Sequence, residues 1–178
     1  MEPSSLVWAA LLLSVERLCY AFAWRRPELF RRVSLRLGLG GGDPVRALER
    51  LFYAFKGLQL SVFLAWCLAH GDGTLWPPSG PPVLSALLGL CILAAGQLLN
   101  LSVFYRLGRT GVFYGSRFGY RLPICRQFPF SWLRHPQYVG TVLSIWGLFV
   151  VLRFPHDDWL VLPVLQTLYY AVGAYLES

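Results

Sequence analysis

Read from its amino terminus, the chain alternates long apolar runs with short polar connections. The apolar runs cover residues 5–24, 51–69, 82–105 and 159–176, with a shorter one at 139–152. A helix that crosses a bilayer needs roughly 20 predominantly apolar residues. The pattern therefore predicts an all-α fold, a polytopic membrane helix bundle of about five helices, the last two forming a hairpin. No internal repeat divides residues 1–178, which read as a single membrane-embedded domain. Two connections carry turn signals. Gly38-Leu39-Gly40-Gly41-Gly42 predicts a flexible break, and Trp76-Pro77-Pro78-Ser79-Gly80-Pro81-Pro82 a non-helical linker whose Trp suits the membrane interface.

Composition agrees with a lipid solvent. Hydrophobic residues make up 56% of the chain, charged residues 14% against about 25% in ordinary soluble domains, and mean hydropathy is +0.50. A net charge of +7 could suggest nucleic acid, but its placement points to the membrane instead. Arg25, Arg26, Arg31, Arg32, Arg36, Arg46 and Arg50 lie between the first and second runs; Arg106, Arg109, Arg117, Arg121, Arg126 and Arg134 lie between the third and fourth. These are alternate connections, so the positive-inside rule puts both in the cytosol with the C-terminus, and the N-terminus in the lumen. Such clusters also attract anionic headgroups, although topogenic charge explains them without that role. The first apolar run lacks the basic flank of a signal peptide and is expected to be retained. Cys19, Cys67, Cys91 and Cys125 are dispersed, and His70, His135 and His156 fall in three different connections, so neither a disulfide framework nor a metal site is predicted.

Charges inside apolar runs are costly and mark function by default. Lys56 stands one or two turns into its run, close enough to snorkel to the interface. Glu16 and Arg17 are adjacent, so on a helix they are expected to point to different sides rather than pair. They either face the bundle interior or mark a tilted helix near the cytosolic surface.

Candidate chemistry crowds into residues 94–140. Ala94-Ala95-Gly96 is a patch of small residues that admits a close neighbour, and Gln97 and Asn100 follow on one helical face. Amides in lipid must bond either to neighbouring helices or to a polar ligand. Gly108, Gly111, Gly115 and Gly119 interleave with Phe113, Tyr114 and Phe118, which could form a loop around a cationic ligand or an aromatic membrane-surface loop. Pro136 suits the first turn of the next helix, leaving His135 at its N-cap.

The run Gly96-Gln97-Leu98-Leu99-Asn100, the pattern from Leu107 to Gly119, Phe128-Pro129-Phe130 and His135-Pro136-Gln137-Tyr138-Val139-Gly140 together resemble phospholipid N-methyltransferases, especially the plant and algal phosphatidyl-N-methylethanolamine N-methyltransferases. Order and spacing match over about 45 residues. The resemblance implies a small endoplasmic-reticulum enzyme that moves methyl groups from S-adenosyl-L-methionine to the headgroup nitrogen of methylated phosphatidylethanolamine, leading to phosphatidylcholine. It uses no metal, and its partner is a membrane phospholipid rather than nucleic acid.

By position, the resemblance implies donor binding by Ala94, Ala95, Gly96, Gln97 and Asn100, by His135, Pro136, Tyr138 and Gly140, and by Glu177 after the last helix; the family's first donor glycine is Ala94 here. His135, Glu177 or Tyr138 would take the acceptor's proton. Arg121 or Arg134 would hold the lipid phosphate, and Tyr114 and Phe118 would face cationic groups. Two other readings stand beside this one: an isoprenylcysteine carboxyl methyltransferase-like enzyme, whose short Arg-His-Pro-x-Tyr-x-Gly element is shared, and a non-catalytic membrane scaffold.

Overall fold

In a computed structural model that describes residues 3–70, 73, 75, 80–122 and 125–177, every apolar run folds as a helix. The elements are α1 (Pro3–Arg25), α2 (Pro27–Arg36), α3 (Pro44–His70), α4 (Val83–Val112), α5 (Pro136–Leu152) and α6 (Val161–Leu176). Helices α1, α3 and α4 are long and apolar enough to cross a membrane. Large apolar side chains such as Leu18, Leu84, Leu98 and Leu101 point outward, as lipid requires and water forbids. The chain is an integral membrane protein built as a helix bundle. Of the predicted Pro-rich linker, residues 76–79 lie outside the described residues; Gly80 to Pro82 precede α4 without helical structure.

Three local expectations change. The first Arg-rich connection contains α2, an amphipathic helix too short and too polar to register as a span. Pro27 opens it at the first helical position, and Phe30 and Ser34, four apart, form its buried face. The glycine run is a compact turn rather than a flexible break. Gly40 has φ 70°, and a Cβ there would lie 2.4 Å from the backbone nitrogen of Ala47 at the start of α3. Helix α3 begins at Pro44, seven residues before its apolar run, with Asp43 Oδ1 accepting the Val45 N–H at 2.9 Å. Lys56 is thus twelve residues into the helix, about 18 Å along its axis. The side chain turns into the bundle rather than snorkelling, and meets Glu16, Gln59 and Tyr170 there.

Helices α4 and α5 pack backbone to backbone. On α4, Gly89 and Gly96 are seven apart; on α5, Gly140 and Gly147 are seven apart and face them in antiparallel order. A Cβ on Gly96 would stand 2.5 Å from the Gly140 carbonyl oxygen, and one on Gly147 2.5 Å from the Leu93 nitrogen. Only the missing side chains allow this approach, the usual means of joining helices where lipid supplies no hydrophobic drive. Helix α5 also forms the predicted hairpin with α6, where Trp146 Nε1 donates to Thr167 Oγ1 at 3.0 Å.

Helix length then shapes the site. At about 1.5 Å per residue, α5 (17 residues) and α6 (16 residues) reach about 24–26 Å, short of the roughly 30 Å apolar core of a bilayer. Helices α1, α3 and α4, with 23, 27 and 30 residues, are longer. The start of α5 and the end of α6 meet at one end of the bundle, beside the flanks of α1 and α3 and the end of α4. This recess is where the polar residues gather.

Candidate active site

The recess holds a cavity of about 140 Å3. Glu16, Arg17 and Tyr20 of α1, Lys56 of α3, Tyr114 after α4, His135 and Tyr138 at the start of α5, and Tyr170 and Glu177 at the end of α6 line it. Five segments distant in sequence therefore supply its walls.

Glu177 sits at the C-cap of α6, where the helix dipole disfavours a carboxylate. Two phenols offset that cost: the hydroxyls of Tyr114 and Tyr138 both donate to Glu177 Oε1 at 2.5 Å and lie 3.3 Å apart. Tyr114 reaches this position from left-handed backbone, φ 56° and ψ 31°, a conformation that costs a non-glycine residue roughly 1–3 kcal/mol. Its ring is wedged edge-on against Tyr20 and Trp24, with centroids 5.8 Å and 5.2 Å away. Pro136 occupies the first turn of α5 with His135 as N-cap, as the sequence predicts. The His135 ring is stacked at 16° on that of Tyr138.

The opposite wall carries charge. Glu16 and Arg17 do pair, at 2.7 Å, because both side chains bend into the bundle despite adjacent positions. Lys56 Nζ reaches Glu16 at 3.1 Å and donates to Gln59 Oε1 and Tyr170 OH, each at 3.0 Å. Gln59 continues the chain to Gln166 of α6 at 3.2 Å. The Arg17 guanidinium lies 4.2 Å above the Tyr170 ring centroid and 4.9 Å and 5.4 Å from those of Tyr20 and Tyr138. Its Nε and Nη1 are buried without hydrogen-bond partners.

A second, larger cavity of about 630 Å3 opens between α3, α4 and α5. Leu60, Phe63, Leu101 and Phe104 make it chiefly apolar, while Gln97, Asn100 and Ser144 add polar atoms. Phe52, Lys56, Gln137 and Thr141 border both cavities, so the two adjoin. Gln97 Nε2 donates to Ser144 Oγ at 2.9 Å, and Asn100 Oδ1 is buried without a partner.

Several residues singled out in the sequence lie elsewhere. Gly96 and Gly140 face each other in the α4–α5 seam, where the two backbones are in close contact, and Ala94 and Ala95 are exposed. None of these four lines either cavity. Arg121 and Arg134 are likewise exposed and line neither. Phe118 packs on Phe30 of α2, centroids 5.8 Å apart. Tyr20 and Tyr170 escaped sequence reading because an aromatic residue in an apolar helix carries no signal of which way it points. Glu16, Arg17 and Lys56 did carry the signal of intramembrane charge, but their positions in the sequence do not show that all three meet inside the bundle.

Two carboxylates, two cations, an imidazole and several tyrosine faces around a recessed cavity beside an apolar groove suit a substrate with a polar head and an apolar body. The phospholipid methyltransferase family model matches residues 84–178. Phosphatidyl-N-methylethanolamine N-methyltransferase of Arabidopsis thaliana is 33% identical over 76% of this chain and 72% of its own. Phosphatidylethanolamine N-methyltransferase of Rattus norvegicus is 38% identical over 51% of this chain and 45% of its own. The Saccharomyces cerevisiae phosphatidyl-N-methylethanolamine N-methyltransferase is 39% identical over 34% of this chain and 30% of its own. No solved structure matches. The chain belongs to the phospholipid methyltransferase family.

Proposed function

We propose that the chain transfers methyl groups from S-adenosyl-L-methionine to the headgroup nitrogen of mono- and dimethylated phosphatidylethanolamine, forming phosphatidylcholine in the endoplasmic-reticulum membrane. Family membership supports the reaction class, and the Glu177 constellation carries the residue assignment. Bound there, the donor would supply a methyl group on a cationic sulfonium, and the acceptor nitrogen is cationic before it loses its proton and, in phosphatidylcholine, after methylation. A carboxylate oriented by two phenols, ringed by aromatic faces, suits such groups.

Methyl transfer to an amine needs a lone pair, and an alkylammonium with a reference pKa of about 10 is mostly protonated at neutral pH. His135 takes that proton. Its stack on Tyr138 holds the imidazole at the wall of the cavity that Glu177 also lines. Tyr138 and Tyr114 orient Glu177, which attracts the cationic groups, and Pro136 closes the wall beneath them. The apolar groove takes the acyl chains, with Gln97 and Asn100 offering amides at the level of the glycerol esters. Arg-rich segments at the cavity end support a cytosolic face there, where a soluble donor arrives.

Membranes carrying the chain, incubated with methyl-labelled S-adenosyl-L-methionine and mono- or dimethylated phosphatidylethanolamine, are expected to yield labelled phosphatidylcholine. Glu177→Gln should lower transfer by roughly 100-fold while the protein still accumulates in membranes. Label confined to carboxyl methyl esters would assign the chain to prenylcysteine chemistry instead, and no label would leave it a scaffold.

A further inference from the structure

Charge balances across the cavity, with Glu16 and Glu177 against Arg17 and Lys56, but not on the side formed by α1 and α3. Arg17 and Lys56 both pair with Glu16, so two cations share one carboxylate within a bundle in lipid. Glu177 lies across the cavity and is engaged by the two phenols. A buried cation in excess is expensive unless an anion joins it.

The geometry of the cations shows where that anion would sit. Arg17 lines the polar cavity, its side chain only 11% exposed, with Nε and Nη1 unpartnered. Lys56 borders both the cavity and the groove and is 28% exposed. Its bonds to Gln59 and Tyr170 fix the ammonium at their junction. By contrast, the loop arginines expected to hold phosphate stand outside both cavities.

Resting on the function proposed above, we infer that Arg17 and Lys56, held together by Glu16, form an oxyanion site that binds one reactant by its anionic group. Both reactants carry one: the methyl donor a carboxylate, the acceptor lipid a phosphodiester. Guanidinium and ammonium suit either, since hydrogen bonds between charged partners are shorter and stronger than neutral ones.

Binding to the purified full chain in detergent decides between them. One pair of probes is S-adenosylhomocysteine and its decarboxylated analogue. The other is a short-chain phosphatidyldimethylethanolamine and a 1,2-diacyl-3-dimethylaminopropane, which keeps amine and chains but lacks phosphate. In one of the two pairs the wild-type chain should bind the oxyanion-bearing member about tenfold or more tighter. Arg17→Met and Lys56→Met should each cut that preference to about threefold or less, with Arg17→Lys and Lys56→Arg retaining part of it. Preference in the first pair assigns the carboxylate; in the second, the phosphodiester. Absence of preference in both wild-type pairs, or its full persistence in the Met variants, overturns the proposal. Should a Met variant not fold, the wild-type pairs and the conservative exchanges still decide. A wild-type chain that showed the preference yet methylated no phospholipid would sink the functional reading and leave the oxyanion site standing.

Discussion

A buried arginine stands at each end of the bundle, and the two are used differently. Where α3 meets the α5–α6 turn, Arg153 is 1% exposed, bonded to Asp158 at 2.5 Å and to the His70 carbonyl at 2.8 Å. Asp158 also receives Trp66 Nε1 at 2.7 Å, so one cation and one carboxylate close on each other and join three segments. At the other end Arg17 shares its carboxylate with Lys56 and borders a cavity. Both arginines have unpartnered Nε and Nη1. Unsatisfied donors alone therefore do not mark a ligand site; uneven charge beside open space does.

That contrast can be broken by mutation. The largest effect is expected from Asp158→Ala, which strands Arg153 in the interior and should cost about 3–5 kcal/mol. It is read as a lower unfolding midpoint in detergent, with S-adenosylhomocysteine affinity of the folded fraction unchanged. A midpoint within a degree or two of wild type would show that Arg153 needs no carboxylate. Gly96→Val comes next. Its side chain would collide with the Gly140 carbonyl and Ser144, and overpacking of this kind typically costs about 1–3 kcal/mol. Here the loss should appear in stability and activity together, because α5 carries both the seam and His135. Unchanged stability with lost donor binding would return Gly96 to the donor site.

The smallest effect is expected at Arg121 and Arg134. Exchanging either for Gln should alter the acceptor KM by less than about twofold, since exposed charges are screened and neither borders a cavity. A tenfold rise for Arg134→Gln would place the phosphate in the loop and remove the need for Lys56.

Much of the site was legible in local sequence. His135 and Pro136 announced a helix start, and the family resemblance singled out Glu177 after the last apolar run and Tyr138 in the same motif as His135. What escaped were partners whose meaning depends on direction. Gly96 and Gly140 look alike as lining or packing residues until the seam brings them together. Lys56 looked interfacial because its partners, Glu16 of α1 and Tyr170 of α6, are distant in sequence. Helix α2 was invisible to a search for spans.

By itself, then, the sequence determined which apolar runs become helices, which connections carry the positive charge and which family it joins, because these follow from apolar length, charge placement and ordered motifs along one dimension. Only the tertiary structure decided that Glu16, Arg17 and Lys56 face inward, that Tyr114 meets Glu177, and that the small-residue motif holds helices rather than lining a cavity. The physical reason is that a helical periodicity gives relative directions within one helix, while the direction that matters is set by which neighbour fills the other side.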